Sequence, residues 1–180
     1  MSDTLKFFFI PLLSVLFACN TFAQEEVSGD ESAVEAVQKK TSEIYNSNDT
    51  TRFFLTNKSF RTKSTCGTEI AAYSKGGKFN RIIAKTCTDA GKMATEFYFE
   101  NEILIFAFQS FEFFDEKSEE GIWRNFKGIV GRESRFYFQD GRLKFRRHFG
   151  LTNLATDING EVIKKDAESI LDFVKVKSNL

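Results

Sequence analysis

Alternating apolar and polar residues dominate the middle of the chain, and this pattern predicts β-hairpins. The clearest example is residues 135–145 (RFYFQDGRLKF), in which the Asp-Gly pair favours a two-residue type I′ turn. A regular antiparallel ladder from that turn pairs Phe138 with Leu143 and Phe136 with Phe145. The four side chains then form one apolar face of the hairpin.

Two earlier segments have the same design. Residues 97–106 (FYFENEILIF) predict a hairpin with its turn at Asn101-Glu102, and residues 68–85 predict another around Gly76-Gly77. Residues 103–114 are mostly apolar at odd-numbered and even-numbered positions alike, which is typical of a strand buried on both faces. Three hairpins therefore predict a meander of about six antiparallel strands.

Apolar residues at helical spacing precede and follow this meander. A capping-box spacing, Ser32-x-x-Glu35, predicts the start of the first helix, and its apolar stripe comprises Val34, Val37, Thr41, Ile44 and Tyr45. The second helix runs to about Lys175, with a stripe made of Val162, Ile163, Ala167, Ile170, Leu171 and Val174. The predicted fold is α+β, with an N-terminal and a C-terminal helix packed on the sheet.

The first residues have the pattern of an export signal. Lys6 precedes an apolar run at residues 7–18 (FFFIPLLSVLFA), which is shorter than the about 20 residues that a membrane-spanning helix needs. Small residues at Thr21 and Ala23 predict cleavage after residue 23. Alternatively, Leu16-Phe17-Ala18-Cys19 is a lipobox whose Cys19 is acylated, which makes the product a membrane-anchored lipoprotein.

The remaining chain divides into a short tail and one domain. Residues 24–32 (QEEVSGDES) are acidic and small, which predicts a disordered mature N-terminus, and residues 33–180 form a single domain. Removing Asp3 and Lys6 with the signal leaves 24 acidic and 24 basic residues from 25 of each. This neutral chain is not expected to recruit nucleic acid or an anionic membrane, and no membrane span is predicted in its mature part.

Two cysteines remain after the signal, and their positions predict a disulfide. In a regular ladder, Cys66 and Cys87 lie opposite each other because they are equidistant from the Gly76-Gly77 turn. An exported protein enters an oxidising compartment, where such a bond persists. The alternatives are a reduced pair or a metal site, but two cysteines and His148 cannot complete a tetrahedral zinc site without a carboxylate. We expect no metal and no cofactor.

A basic strand, residues 142–148 (RLKFRRH), supplies the candidate binding residues. A regular ladder places Arg135 opposite Arg146 and Tyr137 opposite Lys144, and like charges in such positions repel. One interpretation is a surface for an anionic ligand or an acidic protein, built from these four residues. The other is that solvation, or a glutamate from a neighbouring strand, compensates the charges.

Motifs for catalysis are missing from the sequence. It contains no Gly-x-Ser-x-Gly elbow and no glycine-rich phosphate loop, and its acidic cluster at Glu112, Asp115, Glu116, Glu119 and Glu120 is typical of a solvated loop. The sequence therefore predicts an exported, non-catalytic binding domain of the bacterial periplasm, envelope or medium, whose partner is an unknown protein or anionic ligand. An inhibitor or immunity-type protein is a special case. The alternatives are a small secreted enzyme that uses carboxylates, or a structural envelope component.

The hairpin motif Tyr/Phe-Phe-x-Asp/Asn-Gly-x-Leu resembles the membrane-occupation-and-recognition-nexus type of hairpin repeat. The chain has two close copies and one degenerate copy, with turns starting at residues 76, 101 and 140, so their separations of 25 and 39 residues are unequal. They cover less than half of the chain. The resemblance implies a repeated hairpin and neither a function nor functional residues.

Overall fold

The computed structural model of the chain describes residues 26–29, 31–46, 49–55, 67–88, 91–113, 129–150 and 159–178. Its elements in chain order are β1 (Glu26–Gly29), α1 (Ser32–Tyr45), β2 (Asp49–Leu55), β3 (Thr68–Lys75), β4 (Lys78–Thr88), β5 (Gly91–Glu100), β6 (Ile103–Phe113), β7 (Ile129–Gln139), β8 (Arg142–Gly150) and α2 (Gly160–Ser178). The predicted signal, residues 1–23 with Cys19, lies outside the described residues. Export and lipidation stay predictions.

The predicted α+β fold is confirmed. Strands β3 to β8 are the three predicted hairpins, and they form an antiparallel meander with one helix before it and one after it. Within the described residues, the sheet has eight strands in the order β1-β8-β7-β6-β5-β4-β3-β2. The doubly apolar strand β6 lies between β5 and β7, in the interior of the sheet, as its composition indicates.

The two edge strands were not predicted. Residues 26–29, which the sequence places within a disordered tail, form β1 and pair with residues 145–148 of β8. At the other edge, β2 pairs with β3. An edge strand is held by main-chain hydrogen bonds on one side, so a short polar segment such as EVSG can form one without an apolar pattern. The composition of residues 26–29 therefore gives little indication of a strand.

All three hairpins contain the same β-bulge, and the predicted regular ladders are wrong beyond it. Counting away from each turn, the first two cross-strand pairs have the predicted register. The third residue of the second, returning strand is then skipped as the extra residue of a bulge, and every later pair is shifted by one residue. The skipped residues are Asn80, Ile105 and Lys144. As a result, Phe136 pairs with Arg146 rather than with Phe145.

The turns themselves form where the sequence predicts them. Both central residues have positive φ in each turn, which is the type I′ requirement. Glu102 adopts a φ of 68° although it is not glycine. Every turn thus keeps two residues, and the shift arises only at the bulge.

The two helices lie on opposite faces of the sheet, which we call the α1 side and the α2 side. The main core lies on the α2 side, where the helix packs against inward-facing hairpin residues that include Ile70, Ile82, Phe97, Phe99, Leu104, Phe136 and Phe138. A smaller core lies on the α1 side and comprises Val37, Tyr137 and Phe145, with Val34 and Phe106 packed against it. Both sides of β6 and β7 are therefore covered near the turns.

The first helix begins at Ser32 as predicted, but the predicted capping box is wrong. Glu31 is the N-cap residue and makes no side-chain cap hydrogen bond, so Ser32 is already the first helical residue. At the start of the second helix, a Cβ added to Gly160 would lie 2.6 Å from the Leu143 side chain. Glycine thus allows this helix to pack closely on β8.

Candidate binding surface

The structure does not bring the four predicted binding residues together. Arg135 pairs with Arg147 rather than with Arg146, because the bulge at Lys144 shifts the register by one residue. Arg146 pairs instead with Phe136 of the core on the α2 side. Tyr137 is buried against the first helix, and Lys144 is exposed. Of the two arginines, only Arg135 therefore lies on the α1 side.

Two arginines and three phenylalanines form an alternating row on the α1 side, which we call the arginine–phenylalanine ladder. The Arg135 guanidinium carbon lies 5.6 Å from the ring centre of Phe108 and 5.3 Å from that of Phe149. The Arg147 guanidinium carbon lies 6.0 Å from the ring centre of Phe149 and 5.6 Å from that of Phe145. These distances are within the about 6 Å at which cation–π attraction operates.

Glutamates compensate the two positive charges of the ladder. Glu133 approaches Arg135 at 3.2 Å, and Glu31, just before the first helix, approaches Arg147 at 3.3 Å. The side chains of Arg135 and Arg147 remain 35% and 31% exposed, and that of Glu31 is 74% exposed. Arg135 and Arg147 can thus lie opposite each other because each forms an ion pair with a carboxylate, and the carboxylate of Glu31 is mostly exposed to water.

A second arginine site lies at the other end of the α1 side. The Arg81 guanidinium carbon is 4.7 Å from the ring centre of Tyr45, 5.0 Å from that of Tyr73 and 5.4 Å from that of Tyr98. Glu96 accepts a 2.7 Å hydrogen bond from Arg81 and another, at 3.0 Å, from the Tyr98 hydroxyl. Because Tyr45 is the last residue of the first helix, this cluster holds the end of that helix on the sheet.

Burial changes the electrostatics of this cluster. Burial is the largest single effect and would lower the pKa of Arg81, but the hydrogen bond to Glu96 and the charge interactions with Tyr98, Glu96 and Tyr73 together outweigh it, and the net change is upward. Burial also raises the pKa of Tyr98, and the negative charge of Glu96 raises it further. Arg81 is therefore a permanent cation, and Tyr98 is a neutral hydrogen-bond donor.

We expect Tyr98 to keep its phenol proton as the pH rises past 10.0, the ordinary pKa of tyrosine. Its contribution to stability should be complete below pH 10.0 and decline above it, because the unfolded chain then releases a proton that the folded chain retains. Ultraviolet absorbance of tyrosinate during an alkaline titration measures this. Tyr98→Phe should leave the folded-state titration unchanged.

Tyr45→Phe is the matched control, since it removes the hydroxyl group of the exposed tyrosine of the cluster. The prediction is wrong if Tyr98→Phe removes a tyrosinate signal near pH 10.0 while circular dichroism still reports a folded protein.

A row of polar side chains is buried on the α2 side beyond the apolar core. Thr68 bonds Thr86 at 2.9 Å, and Gln109 bonds Thr95 at 3.0 Å. The hydroxyl of Ser134 lies 2.7 Å from Nδ1 of His148. These cross-strand pairs satisfy polar groups that would otherwise be costly to bury.

The Ser134–His148 contact joins a potential nucleophile to a potential base, which the sequence did not reveal because the two residues lie on different strands. Ser134 is 1% exposed and His148 is 4% exposed, and the His148 ring packs edge-on against Phe136 at 5.5 Å. A substrate needs access to the serine oxygen. The burial therefore favours a structural role for this pair.

The predicted disulfide involves one residue outside the described part of the chain. Cys66 lies there, whereas Cys87 lies in β4 and is buried. Thr68 pairs with Thr86 rather than with Lys85, so the predicted register is wrong at this end of the hairpin. Gly67, which precedes the strand, has a φ of 94°, far from any strand conformation. The disulfide stays a prediction.

The predicted acidic cluster is described only at Glu112, in β6; residues 115–120 lie outside the described part. Among the described residues, no group of three or more His, Cys, Asp and Glu side chains could hold a metal ion. No helix within the described ranges is long and apolar enough to cross a membrane.

The chain matches no family model, no curated protein and no solved structure with which it was compared. The part of the chain that the structure describes is an α+β domain with an eight-stranded antiparallel sheet and an arginine-rich aromatic surface. Its function must therefore be inferred from this geometry.

Proposed function

We propose that this protein is an exported, non-catalytic binding domain of the bacterial periplasm, envelope or medium, and that the arginine–phenylalanine ladder is its partner surface. The observation that supports this proposal is the partial exposure of Arg135 and Arg147 between phenyl rings. Arginine and aromatic residues are enriched in protein interfaces and among the residues that dominate binding energy.

The chemistry of the ladder favours a partner that presents carboxylates. A guanidinium that stacks on a ring still directs its N–H groups outward in its own plane, where a carboxylate can accept two of them. Glu133 and Glu31 already use this chemistry within the chain. The partner we propose is an acidic segment of another protein.

Glu31 is the carboxylate that such a partner would displace. Its pair with Arg147 is an exposed ion pair, and pairs of this kind are worth about 0–1 kcal/mol. A partner carboxylate would therefore replace Glu31 at little cost. An inhibitor or immunity-type protein is the special case in which the partner is an enzyme.

The double variant Arg135→Ala/Arg147→Ala should lose a partner that the wild-type mature protein captures. The experiment is affinity capture from the envelope fraction of the source cells, followed by mass spectrometry of the proteins retained. Lys85→Ala is the matched control, because it removes an exposed cation from β4 without touching the ladder. The supporting result is one acidic protein that the wild type and the control retain and the double variant does not.

Purified components complete this test. The captured protein should bind the wild type directly, and the dissociation constant should rise with salt concentration because charge pairs carry part of the affinity. Recovery of the same proteins by the double variant would contradict the proposed surface. Urea denaturation of the double variant verifies that it still folds.

A further inference from the structure

A cleft of about 310 Å³ separates the first helix from the tips of the second and third hairpins. Its apolar lining includes Val37 from the helix and Ile105 from β6, both of which are buried. Phe138 borders the cleft from β7, but its side chain belongs to the core on the α2 side. Ile105 is the residue that the bulge of the second hairpin leaves out of the ladder. The shared bulge thus supplies part of the lining.

Charged groups also line the cleft. Lys40 of the first helix and Glu100 at the end of β5 form an ion pair there. Asp140, at the tip of the third hairpin, adds a second carboxylate. One ammonium and two carboxylates give these groups a net charge of −1. The lining therefore combines an apolar part with an excess of negative charge.

We propose that this cleft binds a small organic cation with an apolar body, of the primary amine class. Ligand pockets typically join apolar side chains to a few polar groups that orient the ligand. Here the apolar body of the ligand would contact Val37 and Ile105, and the ammonium group of the ligand would pair with Asp140. A volume of about 310 Å³ is at the lower end of the about 300–1,000 Å³ of ligand pockets, so the ligand is small.

This site is independent of the arginine–phenylalanine ladder. The ladder carries arginines and fits a carboxylate, whereas the cleft has an excess of carboxylates and fits an ammonium. Failure of one proposal would leave the other unaffected.

The test uses three matched probes, which share one ring and differ in charge: benzylamine, which is protonated at pH 7, neutral benzyl alcohol and anionic benzoate. Amide chemical shifts of the folded mature chain are followed by NMR as each probe is added. We expect benzylamine to shift the amides of Val37, Ile105 and Asp140. It should bind about 5-fold more tightly than benzyl alcohol, because one exposed ion pair is worth up to about 1 kcal/mol. Benzoate should bind least.

Asp140→Asn tests the ion pair without changing the turn, since Asn-Gly and Asp-Gly both favour type I′. We expect this variant to bind benzylamine about 5-fold more weakly. Glu102→Gln is the matched control: it removes a carboxylate from the tip of the second hairpin, where Glu102 pairs with Lys175 at 2.8 Å. This control should bind benzylamine as the wild type does.

A third variant tests the cavity itself. Ala36, an exposed residue of the first helix, also lines the cleft, and Ala36→Phe should fill it and abolish the shifts while the melting temperature is maintained. Three results would overturn the proposal: benzylamine shifts no cleft amide, benzoate binds as tightly as benzylamine, or Asp140→Asn keeps full affinity.

Discussion

Phe136→Ala is expected to lower the free energy of unfolding by about 3–5 kcal/mol. Phe136 is 0% exposed and lies in β7, an interior strand of the sheet, where it belongs to the core beneath the second helix. Its removal would leave a cavity that a sheet paired on both sides cannot close. Because a domain of this size is stabilised by only about 5–15 kcal/mol, the loss would be a large share of the total.

Phe149→Ala is the matched control for this prediction. It removes the same side chain from the adjacent strand, but Phe149 lies on the α1 side and is only partly buried. Its loss should be at most about half as large, since it buries less apolar area. Urea denaturation followed by circular dichroism measures both. Equal losses for the two variants would show that the core on the α2 side does not dominate stability.

The position of Phe136 illustrates what the sequence could predict. Alternation within each hairpin selected Phe97, Phe99, Phe136 and Phe138 as inward residues, and all four are buried in one core. All four lie on the first strand of a hairpin, whereas the bulges lie on the second strand. The alternation of apolar and polar residues along the first strand is therefore not interrupted within the hairpin. The residues of these strands that face the core could therefore be predicted without knowledge of the bulge.

The returning strands were harder to predict because their bulges have no common composition. The skipped residues are an asparagine, an isoleucine and a lysine. A signal is nevertheless present: a tyrosine stands three positions before each turn, at Tyr73, Tyr98 and Tyr137. In a regular ladder these tyrosines would oppose the residues that are skipped, whereas in the structure they oppose Arg81, Phe106 and Phe145.

The candidate binding surface could be predicted only in part, for the same reason. The sequence identified Arg135 and a repulsive cross-strand arginine, but a shift of one residue makes the partner Arg147 and transfers Arg146 to the opposite face. The pairing of Glu31 with Arg147 depends on where the first helix packs on the sheet, and that is a tertiary contact between distant parts of the chain. No local pattern encodes that contact.

Cys66→Ala and Cys87→Ala are each expected to lower the free energy of unfolding of the exported protein by about 3 kcal/mol, if the two sulfurs are bonded. The bond would close a loop of about 20 residues and restrict the unfolded chain. Its contribution is lost when either cysteine is replaced, so the double variant should lose no more than the larger of the two single losses. Urea denaturation of the three variants measures this non-additivity.

A reductant control separates the cross-link from packing. Cys87 is buried in β4, so Cys87→Ala removes packed atoms in addition to the bond. Wild-type protein unfolded in excess reductant loses only the bond, and its loss should be about 3 kcal/mol. Additive losses in the double variant, or two free thiols in the mass spectrum of exported protein, would show that the cysteines are not joined.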